Sequence, residues 1–285
     1  MKKRTQWCVF AMGFAVVIVC GIVFLRSDNF ADLKYPPEER ACRKFLRTET
    51  VDYQPDVPLA EIKEVQLVGI VSTFSKKQRK EIEPGDSRII GKTMCAGDLA
   101  VLATLPNLET LNIAYYQNFD DELMASLPAL PRLKSLGLYL TSVTEKSFPV
   151  IAAMKQLESL NMTRGAGYHD AQERKSMDWI PDEHWTDQTL EQLSTCTSVK
   201  RITLLGPSTI TDDGLKHLEK LSNLEGLRLD APQITMNGAR YLQTLPNLKD
   251  AWIDGVDKSQ SYTHHTLENG EQTIHYREQG VSLSR

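Results

Sequence analysis

The stretch Ile210 to Leu229, ITDDGLKHLEKLSNLEGLRL, restricts the fold of this chain more than any other part of it. Its apolar residues are Ile210, Leu215, Leu218, Leu221, Leu224, Leu227 and Leu229. The steps of three keep side chains on one face of a short helix, and the closing step of two keeps them on one face of a strand. One short helix and one short strand cannot enclose a core. Such a unit is stable only where neighbouring copies cover its apolar side.

Copies are present along most of the chain. With Leu224 as anchor, the equivalent residues are Leu108, Leu133, Leu157, Val199 and Leu248. Three before each anchor stand Leu105, Leu130, Met154, Cys196, Leu221 and Leu245; six before stand Leu102, Leu127, Ile151, Leu193, Leu218 and Leu242. Nine before stand Leu99, Met124, Phe148, Leu190, Leu215 and Ala239, and five after stand Ile113, Leu138, Met162, Leu204, Leu229 and Ile253. Every slot is apolar in a chain that is 41% hydrophobic, so the pattern is not chance. The anchors are 25, 24, 42, 25 and 24 residues apart.

The segments LSNLEGLRL, LPNLETLNI, LPRLKSLGL, MKQLESLNM and LPNLKDAWI resemble leucine-rich repeats, and ITDDGLKHLEKL is similar to a variant common in bacterial proteins, notably those of planctomycetes. The resemblance covers about 94–254. It implies an α/β solenoid, with a curved parallel sheet on the concave side and short helices on the convex side. It implies binding rather than a reaction. The chain departs from the usual pattern at the eighth residue after the anchor. Tyr116, Thr141, Gly165, Pro207 and Pro232 stand there in place of Asn or Cys, so a continuous Asn ladder is not expected.

The N-terminus is a separate unit. Lys2, Lys3 and Arg4 lie in a stub, 1–6, ahead of the uncharged run Trp7 to Leu25. A helix of that length spans roughly 30 Å of hydrocarbon. No small-residue cleavage site follows it, which favours an uncleaved signal anchor over a cleaved secretory signal. The basic flank places the N-terminus in the cytoplasm and everything after Arg26 outside it, periplasmic in a bacterium. Residues 26–50 read as a juxtamembrane segment with a cap helix beginning at Pro36-Pro37. Cys42 and Cys95 both fall near the start of the solenoid, and an oxidising compartment would permit a disulfide between them.

The solenoid reads as 51–254. Its first, degenerate repeat takes Val65 as anchor, with Leu59 and Ile62 before it and Val68 and Ile70 after it. Two insertions interrupt it at the same phase, about 71–93 and 163–184, and Trp185 resumes the pattern in the slot of Ile210. The tail, 255–285, carries Asn269-Gly270 between two alternating segments, the signature of a hairpin that caps the last repeat.

The net charge of −4 and the lack of a basic excess argue against a nucleic-acid partner. No catalytic motif is present and no cofactor is implied. The 163–184 insertion holds His169, Asp170, Glu173, Asp178, Asp182, Glu183 and His184, but not in a metal-site spacing. The strand phase turns Arg201, Arg228, Asp250 and Trp252 outward on the concave face, beside an insertion that carries Tyr168 and Trp179. Arg with aromatics is the usual anchor chemistry of an interface. The expected function is therefore a membrane-anchored module that binds a protein or peptide. The alternatives are an enzyme or metal protein with its site in the insertion, and a purely structural envelope protein.

Overall fold

A computed structural model describes residues 34–50, 54–69, 93–116, 118–164, 184–254, 262–269 and 272–279. The stub and apolar run at 1–25 lie outside these. So do the interiors of both insertions, including the basic run at 76–80, Tyr168 and Trp179. Among the described residues no helix is long and apolar enough to cross a membrane.

Seven short strands stand side by side in chain order, all parallel: β1 (Glu64–Val68), β2 (Thr110–Ala114), β3 (Ser135–Tyr139), β4 (Ser159–Thr163), β5 (Arg201–Leu205), β6 (Gly226–Asp230) and β7 (Asp250–Asp254). Helix α1 (Pro37–Glu49) precedes the sheet. Between successive strands run one-turn to two-turn helices: α2 (Ala96–Ala100), α3 (Asp121–Ala125), α4 (Phe148–Ala153), α5 (Asp187–Leu193), α6 (Asp212–Leu215) and α7 (Met236–Leu242). This is an α/β solenoid of strand–helix repeats, the architecture that the leucine-rich-repeat resemblance implies. Of the five slots read from the sequence, all are filled by buried side chains except Leu127 and Met154, which pack partly buried against the same core. Trp185 is fully buried and bridges Ser208 in parallel, so the pattern does resume there.

The first repeat needs a correction. Val65 pairs with Leu111 and Leu67 with Ile113, so the anchor is Ile62, three residues earlier than the sequence suggested. Leu59, Ile62 and Val65 are evenly spaced and fit two phases equally. The strand decides between them, because Val65 and Leu67 are the pair that points into the core. Cys42 and Cys95 are not bonded to each other: Cys42 is buried on the inner face of α1, while Cys95 is exposed.

Both ends of the solenoid are closed. At the start, α1 lays Cys42, Phe45 and Leu46 against the first repeats. Its buried Arg43 donates to the carbonyls of Pro55 (2.7 Å) and Val57 (3.2 Å), pairs with Glu39 (2.8 Å) and stacks on Tyr35. At the end, β8 (Tyr262–Asn269) and β9 (Gln272–Gln279) form the expected hairpin, and its second strand joins the sheet parallel to β7. Ile274 and Tyr276 enter the core in line with Ala251 and Ile253, and the Tyr276 hydroxyl donates to Ile234 O (2.9 Å).

Two polar ladders replace the missing one. At four of the six anchors the residue just before is an amide that reaches the preceding repeat: Asn107 to Ala60 O (2.6 Å), Gln156 to Leu130 O (2.8 Å), Asn223 to Thr197 O (2.9 Å) and Asn247 to Ser222 O (2.6 Å). At the helix starts a carboxylate reaches the following repeat. Asp187 accepts from the backbone N–H and hydroxyl of Thr211 (2.8 and 2.7 Å), and Asp212 does the same for Thr235 (2.8 and 2.6 Å). Asp121 does it for Thr144. Each of these threonines also accepts from an N–H of its own first turn, so the cap must both donate and accept. A hydroxyl does both through a single oxygen.

The glycine of ITDDGL follows from the same contact. A Cβ at Gly214 would stand 2.2 Å from Asp187 Oδ1, and one at Gly238 would stand 2.1 Å from Asp212 Oδ1. Asp212→Ala should cost about 1 kcal/mol through loss of the cap contacts. Gly238→Ala should cost about 1–3 kcal/mol by overpacking. Their combination should cost less than Gly238→Ala alone, because the clash is gone and alanine favours helix by about 1 kcal/mol. Urea unfolding of the two single variants and the double variant tests this; simple additivity would reject the contact.

Candidate binding face

The face of the sheet turned away from the core is set by the odd positions of each strand. Strand register lines them into rows. The first row runs Glu64, Thr110, Ser135, Ser159, Arg201, Gly226, Asp250 and Thr273. The second runs Gln66, Asn112, Gly137, Asn161, Thr203, Arg228, Trp252 and His275. The four candidates from the sequence thus share one area on β5, β6 and β7. Arg201, Arg228 and Asp250 are exposed, and Trp252 is half-buried.

Arg201 and Asp250 flank Gly226 from either side. Arg228 stands between Thr203 and Trp252. The Trp252 ring packs on His275 of β9, with centroids 4.7 Å apart and planes tilted by 36°. That packing gives Trp252 a structural role against the hairpin besides any contact with a partner. The opposite half of the face differs. Over Gly137 the Asn112 amide and the Tyr139 ring close in, and burial pushes the Tyr139 hydroxyl up from its usual range. On the same half, Asn161 Oδ1 is shielded and meets no donor among the described residues.

One functional element was not visible as such in the sequence. Arg164 was read as part of the insertion, yet it is buried at the insertion's root. Its guanidinium lies 3.8 Å over the Trp185 ring, pairs with Glu145 (3.3 Å) and donates to Val143 O (3.1 Å). The chain therefore leaves and returns through a stacked Arg–Trp clamp. Glu145 stands where other repeats have the ladder aspartate, and it accepts from the Thr189 hydroxyl (2.6 Å). Close passage of Gly206 to the Arg164 carbonyl, with φ of 121°, completes the junction. The signal was present as Arg164 and Trp185 bracketing the insertion, but a solvated arginine and a core tryptophan read independently do not reveal a pair.

Among the described residues no group of three His, Cys, Asp or Glu is placed to hold a metal ion. His184 is exposed, and the other insertion acids lie outside the described residues.

No family model matches the chain, and no curated protein matches it. Solved structures similar to it include an internalin C2 from Listeria monocytogenes, at 16% identity and a TM-score of 0.38, covering 75% of this chain and 92% of that one. Another is an internalin, inlF, from the same organism, at 15% identity and a TM-score of 0.22, covering 80% and 92%. At these values the likeness adds nothing to the fold derived above and transfers no ligand.

The clamp makes a pH prediction. Burial raises the Glu145 carboxyl, but the Thr189 hydrogen bond and Arg164 outweigh it and hold it below its ordinary 4.5. A carboxylate depressed in the folded state stabilises it above the unfolded value and loses that contribution as pH falls through the folded value. Glu145→Gln should therefore lower the melting temperature at neutral pH, and the gap to wild type should narrow on acidification below 4.5. A gap that stays constant down to acid pH would count against the charged clamp.

Proposed function

We propose that this chain is a membrane-anchored binding protein that holds its solenoid outside the cytoplasm. Its protein or peptide partner sits on the C-terminal half of the sheet's open face. The observation that carries the reading is the convergence of Arg201, Arg228, Asp250 and Trp252 on three adjacent strands. Arg and Trp are enriched among the residues that dominate interface energies. A rigid sheet holds them without loss of backbone entropy on binding. Tyr168 and Trp179 of the insertion are assigned to the same interface from their place in the sequence.

A photo-crosslinking residue placed at Thr203 should give a discrete adduct in native membranes, and the same residue at Lys220 on the helical side should not. Arg228→Ala should abolish the adduct without lowering the melting temperature. Trp252→Ala should also abolish it, and His275→Ala, which removes the stacking partner but keeps Trp252, separates binding from hairpin packing. Adducts from Lys220 alone would move the site to the helices.

The membrane anchor rests on the uncharged run Trp7 to Leu25 and its basic flank. Protease added outside intact spheroplasts should digest the solenoid. Digestion only after lysis would reverse the proposed orientation.

A further inference from the structure

The N-terminal half of the open face is built from different chemistry. The outward positions of β2, β3 and β4 carry no charge, in a chain that is 25% charged. The same positions on β5, β6 and β7 carry Arg201, Arg228, Asp230, Asp250 and Asp254. The uncharged half is nonetheless polar. The side chains of Thr110, Asn112, Ser135, Tyr139, Ser159 and Asn161 meet no hydrogen-bond partner among the described residues. Of their polar atoms only Asn161 Oδ1 is shielded from water, so the rest stand open on the face. Asparagines elsewhere in the solenoid are tied down: Asn107, Asn118, Asn223 and Asn247 all donate to backbone carbonyls.

These open groups surround one aromatic ring. A Cβ at Gly137 would stand 2.5 Å from Tyr139 Cε2 and 2.2 Å from Asn112 Oδ1, so the ring reaches back over Gly137. Gly137 pairs with Asn112 on one side and Asn161 on the other, which sets an amide on each flank of the ring. Thr110, Ser135 and Ser159 line the adjoining row. The residues that follow β2 and β3, Tyr115 and Leu140, hold φ of 62° and 50°. Residues of that size are uncommon there, and such strain clusters where a fold holds a site in shape. We propose that β2, β3 and β4 bind a neutral carbohydrate, with one sugar ring against Tyr139 and its hydroxyls on Asn112 and Asn161. This site is separate from the interface on β5, β6 and β7 and does not rest on it.

The chemistry of the face selects this occupant. A sugar ring carries C–H groups on its faces and hydroxyls around its edge. The C–H face packs on an aromatic ring, and each hydroxyl both donates and accepts. An amide offers donors and an acceptor side by side, and a serine or threonine hydroxyl offers both through one oxygen. Such groups pair with hydroxyls in either sense. A charged ligand would give up hydration here and gain no ion pair from β2, β3 or β4. An extended peptide would turn alternate side chains onto the face. Among the outward positions of these strands only Tyr139 offers them a large apolar contact. Asn161 Oδ1 points the same way: a shielded acceptor without a donor is costly and uncommon, and a hydroxyl placed beside the ring would supply the donor.

The test uses the full-length chain in a detergent without a sugar headgroup. The probes are tetrasaccharides of glucose, mannose and N-acetylglucosamine, with a uronic-acid tetrasaccharide and an uncharged peptide as controls. Magnetic saturation of the protein's aromatic protons should pass to the C–H protons of a neutral sugar. Tyr139→Leu, which keeps apolar bulk but removes the ring, should weaken binding about tenfold or more and abolish that transfer. Asn112→Ala should weaken it several-fold. That variant removes no intramolecular hydrogen bond among the described residues, so its melting temperature should match wild type and its loss reads on the ligand alone. Arg228→Ala, on the other half of the face, should bind sugar as wild type does. No transfer to any neutral sugar, or unchanged binding in Tyr139→Leu and Asn112→Ala, overturns the site. Tighter binding of the uronic-acid sugar overturns its neutrality. Binding of the peptide and of no sugar, lost in Tyr139→Leu, would assign the face to a polypeptide and overturn the carbohydrate.

Discussion

The structure depends on one constraint: each repeat has an apolar side that only another repeat can cover. Burying one leucine stabilises by roughly 1.5–3 kcal/mol, but a lone repeat would leave most of its leucines in water. The core is therefore continuous from Leu59 to Tyr276, without a boundary where the solenoid could be divided cleanly. The same constraint demands closed ends. Helix α1 meets it by adding Cys42, Phe45 and Leu46 at one end, and β9 meets it by imitating the strand of a further repeat at the other. The hairpin is thus part of the fold's stability and not an appendage.

Stacking repeats at this distance also fixes the polar chemistry between them. Each short helix starts beside the start of the previous one, and its first N–H groups need acceptors. The carboxylate that opens one helix serves the cap of the next, so that cap must donate as well as accept, which the threonine hydroxyls do. Where the previous repeat offers Ala96 in place of a carboxylate, the cap is Asp120, an acceptor only, and it takes the N–H groups of Glu122 and Leu123. At the last repeat no helix cap follows among the described residues, and the position is Met236. The residue types follow the demand at each junction, including the one where an insertion intervenes and a longer Glu145 is used with Arg164.

Much of this was legible in the sequence because burial imposes a strict spacing. The phase of six repeats, the return at Trp185 and the hairpin at Asn269-Gly270 all follow from apolar alternation and turn chemistry. The first repeat was misphased because Leu59, Ile62 and Val65 satisfy two registers, and only pairing with β2 separates them. The Asp–Thr ladder was not legible, since a single repeat does not reveal which neighbour its carboxylate faces. On the open face, strand alternation placed Arg201, Arg228, Asp250 and Trp252 correctly. It could not show that Gly226 lies between two of them, because that adjacency is set by register across three strands. The Trp252 stack on His275 was invisible for a similar reason: it needs the hairpin's second strand, not its first, beside β7.

Register also produces a pattern that no single repeat contains. The residue after each anchor is in turn Lys63, Glu109, Lys134, Glu158, Lys200, Glu225 and Lys249, joined in series by backbone hydrogen bonds. Their signs alternate, and four ion pairs form among them, Lys134 and Lys249 holding their partners' carboxyls below the usual range. Exposed pairs of this kind contribute little to stability, so their consequence lies elsewhere. Loss of one repeat would set like charges side by side, which penalises a solenoid one unit short. An alternating rim also has almost no net field beyond the screening length of about 10 Å. It cannot steer a charged partner from a distance. Discrimination then falls to groups that act at contact range, and on this face Arg201, Arg228 and Asp250 are the exposed charges of the C-terminal half.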